Sequence, residues 1–231
     1  MVDFSIFEKK IKISFKDKKL LKQSFIHRSY INENPNTELS HNERLEFLGD
    51  AVLELAVTDF LYKKYPNYTE GELTALRSAL VNAVTIAEVA SQIGMNDYLL
   101  LSKGETKDTG KARQYILANT YEALVGAIYL DRGYKLADAF VNKTLLPQTE
   151  EIVSKKLWRD AKSLVQEKAQ EFLGITPIYR VLQESGPDHD KHFTVGICFG
   201  ADLITEGKGK SKQEAEQNAA LNALKIKSWL D

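Results

Sequence analysis

Apolar residues recur at spacings of three and four over most of the first two thirds of the chain. The pattern is clearest in "RLEFLGDAVLELAVTDFLYKKY" (Arg44–Tyr65), "ELTALRSALVNAVTIAEVASQIG" (Glu72–Gly94) and "QYILANTYEALVGAIYLDRGY" (Gln114–Tyr134). This period predicts amphipathic helices from about Asp17 to Leu157. Turn-forming residues place breaks at "NENPNTELSHN", "YPNYTEG" and "SKGETKDTGKARQ". Thr69 followed by Glu72 reads as a capping box. "KLADAFVNKTLLPQTEEIVSKK" (Lys135–Lys156) adds one or two further helices. The pattern then changes. "AKSLVQEKAQEFLG" is a helix closed by Gly174, and "PIYRVLQESG", "HFTVGICFG" and "ADLITEGKGK" are strand-like runs. "SKQEAEQNAALNALKI" is a final helix rich in alanine. The expected fold is an all-α domain, 1–157, followed by a small α+β domain of order α-β-β-β-α, 158–231.

Composition adds little to this frame. A length of 231 residues suits one or two domains, and no apolar run approaches the roughly 20 residues of a membrane span. The N-terminus lacks the apolar core of a secretion signal, and one cysteine, Cys198, excludes an internal disulfide. A cytoplasmic protein that does not engage a membrane is expected. The formal net charge is −1. The part from Asp160 onward carries 9 Lys and Arg against 11 Asp and Glu, leaving 22 against 21 before it. Any surface for a polyanion must therefore come from local clustering. "GKGKSKQ" lacks the glycine spacing of a phosphate-binding loop, so no nucleotide cofactor is expected.

Two stretches carry candidate chemistry. In "HNERLEFLGDAVLEL", Glu43, Glu46 and Asp50 fall at i, i+3 and i+7, on one helical face. Stacked like charges repel, and gathered hard oxygens suit Mg²⁺; a solvated acidic face satisfies the same spacing, and Glu54 and Asp59 are read that way. In "ILANTYEALVGAIYL" (Ile116–Leu130), Asn119 and Glu122 interrupt an otherwise apolar run, and a buried carboxylate needs a counter-charge or a proton. An Asn–Glu pair bridging helices is the competing reading. Packed together, the two helices would bring their oxygens around one or two divalent ions. "DHDKH" (Asp188–His192) offers a weaker metal pattern.

At these residues the chain resembles bacterial ribonuclease III. "ERLEFLGDAVLEL" is similar to the family signature. The likeness extends through "FIHRSY", "TEGELTALRSALVN", "LLLSKGE" and "ILANTYEALVGAIYLD", and the last segment resembles the family's double-stranded-RNA-binding domain. The resemblance implies a Mg²⁺-dependent endonuclease, with Mn²⁺ as a substitute, acting as a homodimer on double-stranded RNA such as rRNA and mRNA precursors. Its products would carry 5′-phosphate and 3′-hydroxyl ends with two-nucleotide 3′ overhangs. Glu46, Asp50, Asn119 and Glu122 would hold metal, Asp50 and Glu122 being catalytic, and Glu43 would lie near the RNA. Gln166, Glu167, His189, Lys210 and Lys212 would bind RNA. The family usually has an aspartate where this chain has Asn119, which keeps an oxygen and loses a charge. A tolerated variant, an attenuated double-stranded-RNA-binding protein with the nuclease domain as a dimer scaffold, and an engineered substitution all fit that departure. The last helix also has Gln213 where a second adjacent lysine is usual. Lys103, Lys107, Lys111 and Arg113 form a cationic stretch that suits either a solvated loop or an RNA backbone contact. His27 is expected to be structural, in the core or at a helix junction.

Overall fold

Several helices in the first part of the chain begin where side chains take up orphan backbone N–H groups. Thr69 and Glu72 form the reciprocal capping box, with Glu72 Oε2 accepting the Thr69 N–H at 2.8 Å. Asp3, Asp17 and Asn82 cap three other helices through their side-chain oxygens. The computed structural model describes residues 2–154, 161–187 and 191–229. It divides into two units, Met1–Trp158 and Arg159–Asp231.

The described elements of the first unit are helices: α1 (Phe4–Ile11), α2 (Lys18–Ser24), α3 (Arg28–Glu33), α4 (Glu43–Lys64), α5 (Glu70–Leu80), α6 (Ala83–Gln92), α7 (Lys111–Arg132), α8 (Tyr134–Thr144) and α9 (Gln148–Ser154). Short 3₁₀ turns occupy Met95–Tyr98 and Glu105–Lys107. Two differences from the sequence pattern stand out. α1 lies before the region expected to be helical; it is held by Phe7, which packs on Phe25 and Tyr98 with ring centroids 5.0 and 4.9 Å apart. α7 begins at Lys111, inside a stretch expected to be a break, because the polar first turn lies outside the core that buries the rest.

α7 is the central helix. From Ile116 to Ile128 every residue is buried except Asn119 and Glu122. α4 makes the most extensive helix contact with it, and two glycines permit the approach. A Cβ at Gly49 would stand 1.8 Å from the Glu122 carbonyl oxygen, and one at Gly126 would stand 2.3 Å from that of Leu45. Backbone therefore meets backbone at the crossing, with no room for a methyl group.

The second unit contains α10 (Ala161–Leu173), β1 (Ile178–Ser185), β2 (His192–Phe199), β3 (Asp202–Gly209) and α11 (Lys212–Ile226). The strands form an antiparallel sheet of order β1-β2-β3. Gly174 ends α10 at φ 67°, its N–H donating to the Gln170 carbonyl. Val165 and Ala169 of α10 and Ala219, Ala220, Ala223 and Leu224 of α11 form a core with Ile197 and Phe199. Alanines let α11 lie close to the sheet, where Asn218 and Asn222 donate to the Lys208 and Glu206 carbonyls of β3, each at 2.8 Å. Cys198 is a buried strand residue.

The α4–α7 crossing yields a direct test. Gly126→Ala should lower stability by about 1–3 kcal/mol or more through overpacking, seen as a lower urea midpoint. A midpoint within error of the native value would show that the helices separate without cost.

Candidate active site

The crossing gathers the oxygen groups singled out in the sequence. Glu43 and Glu46 occupy the first turn of α4, and Asp50 follows Gly49. Asn119 and Glu122 are the two half-buried positions on the otherwise buried stretch of α7. Burial and neighbouring charges show in the protonation of Glu46 and Glu122. Burial, followed by the charges of Asp50, Glu46 and Glu54, pushes the Glu122 carboxyl up to about 7. Burial, followed by Glu43 and Asp50, raises the Glu46 pKa, and the neighbouring Asn119 amide partly offsets this. Glu46, Asp50 and Glu122 form no ion pair with a described Lys, Arg or His.

Neighbouring acids are treated differently. Glu43 is exposed and pairs loosely with Arg28 and His41, at 3.7 and 3.8 Å. Glu54, expected to be a solvated acid, is held 3.0 Å from Arg77 of α5 and lies near enough to raise the Glu122 pKa. Asp59 pairs with Lys63, as an exposed i,i+4 ion pair does. The three unpaired carboxylates and the Asn119 oxygen are hard donors of the type that suits a divalent cation such as Mg²⁺. Among the described residues no three His, Cys, Asp or Glu side chains are drawn together in a ligating cluster. The fit therefore rests on donor chemistry: crowded carboxylates that lack a positive partner.

The site is open. A cavity of about 770 Å³ lies elsewhere, lined by Ser91, Asn96, Arg113 and Leu117 among others, and includes none of these donors. An open acidic surface suits a polymer better than an enclosed small molecule.

Arg113 proves to be a scaffold. Its guanidinium donates to the carbonyls of Asp108, Glu105 and Thr106, at 3.1, 2.8 and 3.1 Å, binding the 105–108 loop to the start of α7. Those donors are committed, which leaves Lys103, Lys107 and Lys111 as the loop's cations. His27 sits at a helix junction, capping α3 through Ser29, and burial lowers its pKa.

In the second unit Gln166 and Glu167 are exposed on α10. Lys210 and Lys212 are exposed on either side of Ser211, the N-cap of α11, where helix amides favour anions. His189 lies outside the described residues, as does most of the "DHDKH" pattern. Lys191 within it pairs with Glu184 at 2.9 Å. Sequence reasoning missed Gly49 and Gly126, whose signal was small residues in two apolar helices. It also missed Arg77, for which sequence carried none.

A helical domain with a crowded carboxylate site, joined to a small α-β-β-β-α domain, defines a class of two-domain nucleic-acid enzymes. Residues 17–149 match the family model described as "Ribonuclease-III-like", and 161–227 match the double-stranded RNA binding motif. Ribonuclease 3 of Nitratiruptor sp. is 43% identical over 220 residues, 95% of each chain. That of Protochlamydia amoebophila is 45% identical over 94% of this chain and 89% of its own. The nuclease domain of ribonuclease III from Campylobacter jejuni superposes with a TM-score of 0.56 at 37% identity, covering 61% of this chain and 94% of that one. The chain belongs to the ribonuclease III family and is an endoribonuclease with a double-stranded-RNA-binding domain.

Glu122 gives a pH test in the metal-free protein. A folded-state pKa raised from 4.5 to about 7 means that the folded state holds this proton more tightly than the unfolded chain. The site is therefore least costly below pH 4.5, and stability is lost as pH rises between 4.5 and about 7. Glu122→Gln, measured in EDTA, should be more stable than the native protein at pH 8, and the gain should vanish by pH 4. An equal gain at both pH values would refute the linkage.

Proposed function

We propose that this endoribonuclease cleaves double-stranded RNA with Mg²⁺, Mn²⁺ substituting, and that Glu46, Asp50, Asn119 and Glu122 hold the metal. The carrying observation is that the Asp50 charge raises the proton affinity of both Glu46 and Glu122, and that of Glu46 raises Glu122 further, without a described cation paired to any of the three. Bound metal would supply Lewis acidity and lower the pKa of a water for attack at phosphorus. The chain's own residues position and hold: Asp50 orients or deprotonates the attacking water, and Glu122, ionised, would be among the residues that hold the metal. Asn119 provides a neutral oxygen and supports the ionised Glu46. In-line attack leaves 5′-phosphate and 3′-hydroxyl ends, staggered by two nucleotides when two subunits cut opposite strands. Exposed Glu43 borders the RNA path. Gln166, Glu167 and His189 read minor grooves, and Lys210 and Lys212 contact phosphate between them. Precursors of rRNA and mRNA are the substrates in this reading. It places the protein in the cytoplasm, where its one cysteine, buried and unpaired, needs no oxidising environment. No described helix is by itself long and apolar enough to cross a membrane, and neither a membrane nor a nucleotide cofactor enters the mechanism.

A homodimer is part of the same proposal. Phe47, Ala51, Leu55 and Tyr62 recur at helical spacing along α4, and Phe47, Leu55 and Tyr62 are 82%, 57% and 72% exposed. Exposed large apolar side chains recurring along one helix normally meet a partner. The C. jejuni work describes a region of that nuclease domain involved in dimer formation.

A labelled RNA duplex should yield discrete overhanging products with Mg²⁺ and none with EDTA. Asp50→Ala should bind the duplex but lose cleavage by about 10²-fold or more, and Asn119→Asp should reach half-maximal rate at lower Mg²⁺. Binding without products across the Mg²⁺ titration would favour the attenuated scaffold. Sedimentation should give a dimer mass for the native chain and a monomer for Phe47→Asp; a native monomer would remove the dimer from the mechanism.

A further inference from the structure

The chain's largest local excess of positive charge lies in residues that the mechanism above does not use. The first 22 residues carry seven lysines against three acids, an excess of four, while the whole chain has a net charge of −1. Lys9, Lys10, Lys12, Lys16, Lys18, Lys19 and Lys22 are all exposed.

The acids here are committed to holding backbone. Asp3 accepts the Ser5 N–H at 2.9 Å, and Asp17 accepts that of Lys19 at 2.8 Å. Glu8 accepts the Phe15 N–H at 2.7 Å and pairs with Lys18 at 2.6 Å. Asp131, at the end of α7, uses one oxygen for the Lys16 N–H and the other for that of Asp17, each at 2.8 Å. Arg132 donates to the Ser14 carbonyl. Between α1 and α2 the chain is thus an anchored strap in which Ile11, Ile13 and Phe15 are buried while Lys12, Ser14 and Lys16 face outward. Lys12 adopts φ 60°, the left-handed C-cap position that favours glycine. Lys10, Lys12, Lys16, Lys19 and Lys22 make no ion pair with a described acid.

We infer that this strap and the flanking turns of α1 and α2 form a second binding site for the RNA phosphate backbone, separate from the acidic site. The inference rests on the double-stranded-RNA reading and extends its contact surface. Rigid backbone and unpaired ammonium groups suit a polyanion, whose binding gains from counterion release. Lys12 and Lys16 stand up to roughly 13 Å apart along extended chain, a span suited to a polymer rather than a single phosphate. Among the described large apolar residues of this segment Ile6 alone is strongly exposed, too little for the apolar face that membrane insertion requires. Asp131 lies nine residues beyond Glu122, about two and a half helical turns, so the strap is gripped from the opposite side of α7. The strap therefore takes a stretch of RNA beyond the one crossing the acidic site.

The test is the full-length protein with Lys10, Lys12, Lys16, Lys19 and Lys22 all changed to Gln, beside the same set changed to Arg. The Gln variant should melt like the native chain and cut a short duplex at the native rate. Its affinity for a duplex several times longer, measured in EDTA, should fall about tenfold or more, and its salt dependence should flatten by up to about 0.9 in log–log slope per lost phosphate contact. The Arg variant should match the native chain. Unchanged long-duplex affinity and slope, or an equal loss on both lengths, would overturn the site. So would lysine-dependent binding to anionic phosphatidylserine vesicles with RNA affinity unaffected. A native chain that binds long RNA through these lysines yet cuts nothing would sink the nuclease reading and uphold this one.

Discussion

Backbone contact between α4 and α7 at Gly49 and Gly126 is the constraint on which the rest of the nuclease unit depends. It brings the Glu122 carbonyl against α4 at the residue preceding Asp50. Glu46 of α4 and Glu122 of α7 both lose solvation there, and the Glu46 charge acts on Glu122. Desolvation heads the causes raising both Glu46 and Glu122, with carboxylate repulsion following. The same close approach that stabilises the core by excluding water thus makes Glu46 and Glu122 hold their protons unless a cation arrives. Stability and chemistry compete at this crossing, as they do at many functional sites.

Carboxylates elsewhere show what an acid does when it has a structural task. Glu54 has Arg77, Asp59 has Lys63, and Glu8, Asp17 and Asp131 hold backbone amides. Glu46, Asp50 and Glu122 have no such described partner. Lysines follow a parallel division. Lys63 and Lys162 are paired with acids, whereas five lysines near the N-terminus project from a backbone that acids hold in place. A chain of near-zero net charge can therefore offer both an acidic surface and a basic one, because at physiological ionic strength charges separated by more than about 8 Å are largely screened from one another.

Local rules carried much of the fold. The Thr69–Glu72 capping box, the Gly174 cap and the three strands all required only near neighbours. α1 escaped because eight residues are too few for a periodic signal, and its Phe7 gains its place from Phe25 and Tyr98. The first turn of α7 escaped because its residues are polar and chemically resemble the loop before it. Arg113 was read with the loop's cations; its reach back to three carbonyls depends on how that loop folds.

For the site, sequence alone determined which residues carried unusual chemistry. A period of 3.6 places Glu43, Glu46 and Asp50 on one stripe, and an apolar run isolates Asn119 and Glu122, because both patterns are properties of a single helix. Only tertiary structure decided that α4 and α7 meet at two glycines, that Arg77 neutralises Glu54, and that five lysines near the N-terminus stay exposed without a described acid partner. Those outcomes depend on distances between residues far apart in the chain, and the energy of a charge is set by what surrounds it after folding.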